Sequence, residues 1–286
     1  MLVRVFRATL RPPFTAYNPS GLRLAELTVP RTRLKNDIVT TKSYPAAPFS
    51  RLLAEAAYCK PDYPVFSPGC EAARLDLAVN STVEFCGMTL AAPDQVYAPH
   101  PNSSTEFVVR NWWAARLDEP TGSLLDLGCG TGALGLYAAR QGWAVTCADV
   151  GAASIASARH NAEVNKLTAD FHVSDLFSDL GRKTFDVILF NLPYLHKAEV
   201  SADEAPIADE NGKLARRLFD EAAAYLNSGG RLIFTYSNCS NEQVLARDDW
   251  NFELIACDYE SRGRYWRTLL TGRPVPKSPT EENIAR

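Results

Sequence analysis

Two short stretches of this chain carry residue types whose spacing could do chemistry. The first is Asp126-Leu-Gly-Cys-Gly-Thr-Gly132, with Asp149 and Asp175 downstream. Glycines at 128, 130 and 132 let a backbone turn sharply and approach a ligand closely. The loop follows a short apolar run and opens a helical pattern, so N–H groups at that helix start favour an anionic or strongly polar group. Asp149 falls at the end of the next strand, where a carboxylate can accept both ribose hydroxyls of an adenosine. Asp175 ends a third strand, within reach of an adenine amino group. The spacing is not the Gly-x-Gly-x-x-Gly of a dinucleotide site. Turn glycines with acidic strand-end caps would be the plain structural alternative, but four such features fall at strand ends together.

The second stretch is Phe185-Asp-Val-Ile-Leu-Phe-Asn-Leu-Pro-Tyr194. Asn191 falls where a buried strand meets the same cleft. Its amide oxygen and a neighbouring carbonyl can both accept hydrogen bonds from a planar –NH2 group. Pro193 stiffens the loop and fixes where that carbonyl points. Tyr194 offers a flat face for stacking. Asn191, Pro193 and Tyr194 are thus the candidate catalytic residues. Leu192, His100 and His196 join them as candidate substrate contacts. His160 and His172 read as framework residues, and no metal site is expected.

Those residues need elements to hold them. From residue 123 onward, short apolar runs alternate with helical patterns. Strands are expected at 124–127, 144–148, 169–174, 185–190, 231–236, 252–259 and 264–271. Helices are expected at 131–141, 152–165, 213–226 and 241–246, and a further one at 103–117 leads into the glycine-rich loop. Such alternation demands a mostly parallel sheet with helices on both faces, closed by an antiparallel pair. Residues 83–90 read as a strand or half of a hairpin. Residues 1–80 form a mixed accessory region with a short helix at 49–59, residues 81–273 the α/β domain, and residues 274–286 a polar tail.

Charge is divided unevenly. Residues 1–60 carry ten Lys/Arg against three Asp/Glu, and the remainder twenty against thirty. The acidic balance of the α/β domain favours a protein or small-molecule partner over nucleic acid, whereas the basic start could steer an acidic one. No apolar run reaches the ~18 residues of a membrane span. The first residues lack the apolar core of a signal peptide. Seven cysteines without a Cys-x-x-Cys pair fit a reducing cytoplasm better than a disulfide framework.

Leu-Asp-Leu-Gly-Cys-Gly-Thr-Gly, with Asp149 at its distance, resembles the cofactor motif of the seven-stranded, Rossmann-like class I methyltransferases over about residues 82–272. That resemblance implies S-adenosylmethionine as cofactor. Glu84-Phe-Cys-Gly-Met-Thr-Leu90, Val96-Tyr-Ala-Pro-His-Pro-Asn-Ser-Ser-Thr-Glu106, Val173-Ser-Asp-Leu-Phe177 and the 208–218 segment sharpen it. With Asn-Leu-Pro-Tyr they look like the HemK-like protein-(glutamine-N5) methyltransferases. The implied cofactor contacts are Asp126, Gly128, Cys129, Gly130, Thr131, Gly132, Asp149, Leu176 and Asn191, and the implied amide contacts run from Asn191 to Tyr194. Leu192 and His100 stand where that family usually shows proline and arginine. An N-methyltransferase is therefore expected, acting on an amide or amine nitrogen such as a protein glutamine. An adenine or guanine in RNA or DNA, or a small molecule of specialised metabolism, remains the alternative acceptor.

Overall fold

A computed structural model describes residues 81–94, 96–201, 204–241, 243–259 and 266–276. The accessory region, its helix at 49–59 and the tail beyond 276 lie outside these residues.

The described residues open with a hairpin, β1 (Ser81–Phe85) and β2 (Met88–Ala92), paired antiparallel. Its two-residue turn, Cys86-Gly87, has φ of 51° and 74°, the sign that suits the twist of a tight hairpin. Next come α1 (Ser104–Arg110), β3 (Ser123–Leu127), α2 (Ala133–Gln141), β4 (Ala144–Asp149), α3 (Ala152–Asn165), β5 (Asp170–Val173) and β6 (Phe185–Phe190). After them lie β7 (Leu195–Lys197), β8 (Ala208–Glu210), α4 (Lys213–Ala222), β9 (Leu226–Ser237), β10 (Trp250–Tyr259) and β11 (Trp266–Pro274).

Seven strands form one sheet in the order β10-β11-β9-β6-β3-β4-β5. From β9 to β5 they are parallel; β11 runs antiparallel to both β9 and β10. This is the doubly wound arrangement expected of the alternating pattern. Strands of a sheet covered on both faces should be apolar throughout. Accordingly Leu124, Leu125, Leu127, Ile188, Leu189, Leu232, Ile233 and Phe234 are all buried. One face packs on α4 through Leu218 and Phe219, backed by Phe177, Phe190, Phe234 and Trp250. The other packs on α1, α2 and α3 through Phe107, Val108, Leu134, Ala138, Ile155 and Ala158.

The hairpin is fastened to α3 by an asparagine pair one turn apart. Asn161 Oδ1 accepts from Ala91 N at 2.8 Å, and Asn165 exchanges two bonds with the Thr89 backbone at 3.1 and 2.8 Å. These side chains imitate a neighbouring strand and satisfy β2's free edge. Asn161 Nδ2 also donates to Thr131 O at 2.9 Å, which ties the hairpin to the glycine-rich loop.

Four expectations shift. The helix expected at 103–117 stops at Arg110: Asn111 Nδ2 bonds Phe107 O, and Arg231 bonds the carbonyls of Ala115 and Arg116, so the chain can turn there without orphaned groups. The helix expected to reach 226 ends at Ala222, passes through one 3-10 turn at Ala223–Tyr225, and yields directly to β9. Residues between Leu226 and Arg231 bulge out of the pairing with β6, with Gly229 at φ 79°. Residues 241–246 form turns with bonds of Val244 N to Asn241 O and Ala246 N to Gln243 O, not an α-helix. The short parallel pair β7–β8 was not foreseen.

Candidate active site

The sheet order reverses between β3 and β6, the position where open α/β sheets leave a crevice beyond their strand ends. The glycine-rich loop and the Asn191 loop both leave the sheet there. All three loop glycines have positive φ: 62° at Gly128, 52° at Gly130 and 79° at Gly132. A Cβ on Gly128 would lie 2.6 Å from the Phe190 ring, so the loop rests directly against the end of β6. A Cβ on Gly132 would meet Ala158 at 3.0 Å. Over Gly130 the nearest atom to such a Cβ is the Tyr97 carbonyl at 3.6 Å, so the segment before α1 passes above the loop.

Asp149 is half-buried at the end of β4. Its Oδ2 accepts from Gly130 N at 2.9 Å and its Oδ1 from Gly151 N at 2.8 Å. A carboxylate has about four acceptor positions, so two remain for a ligand's hydroxyls. Beside it Val150 is 72 % exposed, an apolar face at the strand end that the sequence reading did not single out. Thr131 and Cys129 are buried within the loop. Its interaction with the Cys147 thiol, together with burial, holds the Cys129 thiol well above the ordinary thiol range. Cys129 is a filler rather than a nucleophile.

Asp126 is placed differently from its loop neighbours. Only 2 % exposed, its Oδ2 accepts from Gly135 N at 2.7 Å and so binds α2 to β3. Burial raises its pKa to about 7, against the Gly135 N–H, with the Asp149 charge adding to the rise. Gly135 makes the approach possible: a Cβ there would lie 2.6 Å from Cys147 Sγ and 2.9 Å from Asp126 Oδ2. Asp175 is exposed, and Arg217 of α4 bonds both its oxygens at 3.0 and 3.1 Å. Such an open pair is worth about 0–1 kcal/mol. Leu176 turns at φ 51° and buries its side chain in the core, and its carbonyl accepts from Ser174 Oγ at 2.9 Å.

The Asn191 loop is held from several sides. Asn191 Nδ2 donates to Thr105 Oγ1 at 3.3 Å, and its Oδ1 accepts from Thr235 Oγ1 at 3.1 Å. Ser104 Oγ donates to the Tyr194 hydroxyl at 3.1 Å. Ser103 caps α1, accepting from Glu106 N at 3.1 Å. Three consecutive buried hydroxyls, at 103, 104 and 105, thus serve the helix and both ends of the loop. Leu192 is buried. Behind it, a pocket with room for about one water is lined by Leu192, Pro193, Tyr194, Asp209, Tyr236 and Asn241. Asp209 caps α4, accepting from Leu214 N and Ala215 N at 2.8 and 3.0 Å.

Both candidate histidines have hydrogen-bond partners of their own. His100 bonds the Tyr97 hydroxyl and the Pro101 carbonyl, at 3.3 and 3.0 Å. His196 sits in β7, bonded to Asn241 Nδ2 at 3.3 Å. Thr105, Thr235 and Gly135 escaped the sequence reading. For α1, the Ser103-x-x-Glu106 capping pattern was the available signal. Among the described residues, no group of three or more His, Cys, Asp or Glu is placed to hold a metal ion, and no helix is long and apolar enough to cross a membrane.

An open sheet in this order, with a glycine-rich loop and an acidic strand end at its switch point, is the class I methyltransferase fold. Residues 103–257 match the methyltransferase small domain family. The chain is 33 % identical over 162 residues to the release factor glutamine methyltransferase of Streptococcus pneumoniae, across 52 % of this chain and 57 % of that one. It is 33 % identical over 218 residues to the release factor glutamine methyltransferase of Deinococcus radiodurans, across 70 % and 77 %. It is also 38 % identical over 114 residues to the ribosomal RNA small subunit methyltransferase C of Hamiltonella defensa, across 39 % and 31 %. The chain therefore belongs to the methyltransferase small domain family. S-adenosylmethionine is its cofactor, and the glycine-rich loop with the free acceptor positions of Asp149 is compatible with it.

Proposed function

We propose that the chain transfers a methyl group from S-adenosylmethionine to the nitrogen of a planar, uncharged –NH2 group, with a protein glutamine side chain as the leading acceptor. The observation that carries this reading is the Asn191 carboxamide at the end of β6, one residue past the Phe190 ring on which Gly128 rests. Acceptor groups of the loop and the cofactor cradle share one crevice. Gly128 to Gly132, Asp149 and the Leu176 backbone would hold the cofactor, Asp126 supporting them from beneath.

When bound, the cofactor supplies a methyl on a sulfonium sulfur, which keeps the C–S electron pair as the N–C bond forms. The chain's own task is orientation. Asn191 Oδ1 and the Leu192 carbonyl accept the two N–H bonds of the incoming –NH2, and Tyr194 stacks on its plane. Two accepted hydrogen bonds enrich a weak amide nucleophile as positive charge develops on it. Holding it in line with the methyl turns a bimolecular encounter into a step within the complex. The methylated nitrogen then releases its proton to water, so no strong base is required. His100 and His196 would shape the mouth rather than take that proton, since each is bonded elsewhere.

Two relatives named release factor glutamine methyltransferases support a protein acceptor. The relative named for ribosomal RNA favours a second reading, an exocyclic amine of a nucleobase, which is also planar and uncharged. Transfer of labelled methyl from S-adenosylmethionine into fractionated cell extract separates them. Label should enter protein, be lost in Asn191→Ala, and resist ribonuclease. Label in RNA alone would overturn the protein assignment; full labelling by Asn191→Ala would overturn the role of the loop.

A further inference from the structure

The Asn191 amide is gripped by two hydroxyls from elements far apart in sequence. We infer that Thr105 of α1 and Thr235 of β9 are positioning residues that fix the Asn191 carboxamide for nitrogen methylation. The inference rests on the proposed methyl transfer to an –NH2 group.

Both hydroxyls are buried: Thr235 is 0 % and Thr105 4 % exposed. Water cannot replace either partner without entering the core, so each bond is costly to lose. Threonine suits the task because its branched Cβ restricts χ1 and presets the hydroxyl. Thr235 Oγ1 lies 3.1 Å from Asn191 Oδ1 and 3.4 Å from the Leu192 carbonyl. A hydroxyl has one proton to give, and the shorter contact takes it. A carboxamide oxygen has two lone pairs, so Asn191 Oδ1 retains one for the acceptor's –NH2. The Leu192 carbonyl keeps its own for the second N–H. Thr105 meanwhile takes one Nδ2 proton, which holds the plane of the amide from its other end.

The grip also constrains the acceptor. Thr105 and Thr235 bond Asn191 through their hydroxyls, and the Ser104 hydroxyl donates to Tyr194. None of these hydroxyls is a base near neutral pH. An ammonium group would have to shed a proton before its nitrogen could attack, and this shell does not take one. An amide or an aromatic amine arrives with its –NH2 neutral, which matches a neutral clamp.

The test pairs an acceptor-independent signal with turnover. The side-chain NH2 resonances of Asn191 are assigned by their loss in Asn191→Asp. Thr105→Val and Thr235→Val should each displace this pair, and Thr105→Ser and Thr235→Ser should restore it. Labelled methyl transfer into extract protein should fall about tenfold in either valine variant, the loss of one buried hydrogen bond in the transition state. It should recover in the serine variants. Affinity for S-adenosylhomocysteine, measured by calorimetry, should stay within about twofold of wild type, because neither threonine belongs to the cradle. If a valine variant does not fold, the wild-type protein still decides. Its Asn191 Nδ2 protons must exchange with solvent at least about tenfold more slowly than exposed side-chain amides. Free exchange, or unmoved resonances with unchanged turnover in both valine variants, would overturn the clamp. Wild-type protein that labels neither protein nor nucleic acid would overturn the methyl-transfer reading instead, a result the resonance arm does not share.

Discussion

Replacing Asp126 by asparagine should change the stability of the chain with opposite sign at acid and alkaline pH. In the folded protein burial lifts this carboxyl from 3.8 to about 7. In the unfolded chain it titrates at its ordinary value. Between about pH 4 and pH 7 the folded state therefore binds more protons at this site, and stability falls as pH rises. At about 1.4 kcal/mol per unit, the full loss above pH 7 approaches about 4 kcal/mol. Asparagine is nearly isosteric and keeps an oxygen for the Gly135 N–H, so α2 stays docked. Its new –NH2 must be accommodated in a site built around a carboxyl, which costs about 1–2 kcal/mol at any pH. The variant should then be less stable than wild type at pH 4.5 and more stable by about 2 kcal/mol at pH 8. Urea unfolding at pH 4.5, 6 and 8 measures this, with the buried Trp112, Trp143 and Trp250 as fluorescent reporters. Other titrating groups cancel in the difference between the two proteins. A difference that does not vary with pH would refute the claim that the folded protein keeps Asp126 protonated below neutrality.

Two further predictions concern the cradle. Gly135→Ala should destabilise the apo protein by about 2 kcal/mol in urea unfolding, because its Cβ would fall 2.6 Å from Cys147 Sγ; a neutral outcome would show that α2 can move off β3 without penalty. Asp149→Ala should weaken S-adenosylhomocysteine binding by at least about tenfold in calorimetry, since it removes the free acceptors and releases the Gly130 and Gly151 N–H groups. Unchanged affinity would detach the end of β4 from the cofactor.

The parts of this fold that were legible in sequence are those whose cause is local. Helix α3 was expected over 152–165 and is found over Ala152–Asn165, because its start after Gly151 and its left-handed exit at Lys166 lie within its own few residues. Strand β6 was expected over 185–190 and is found there, because a short run that is apolar apart from Asp186 leaves little choice. Where distant groups decide, the reading fell short. Arg231 donates to the carbonyls at 115 and 116, in the stretch where the helix had been expected to continue. The helix expected to reach 226 gives way because Leu226 already pairs with Phe185 of β6. Strands β7 and β8 are three residues each, too short for any alternation to register.

The candidate site divides along the same line. Glycine spacing and strand-end acids are local marks; they pointed to residues 128–132 and 149, which the fold brings together through the bond from Gly130 N to Asp149. Residue type alone did not separate Asp126 from Asp149. Both are aspartates at strand ends, yet one is sealed against α2 and the other half-open to the cleft, a difference made by Gly135 nine residues on. Asn191 was visible as a chemical group but not as an oriented one. Its orientation comes from residue 105, eighty-six positions before it, and residue 235, forty-four after it. A threonine in a helix start or a central strand has ordinary packing reasons to be there, and only the assembled sheet shows its hydroxyl aimed at the amide. The candidate site is thus built in two stages: short motifs supply its groups, and buried hydroxyls from positions distant in sequence hold the Asn191 amide.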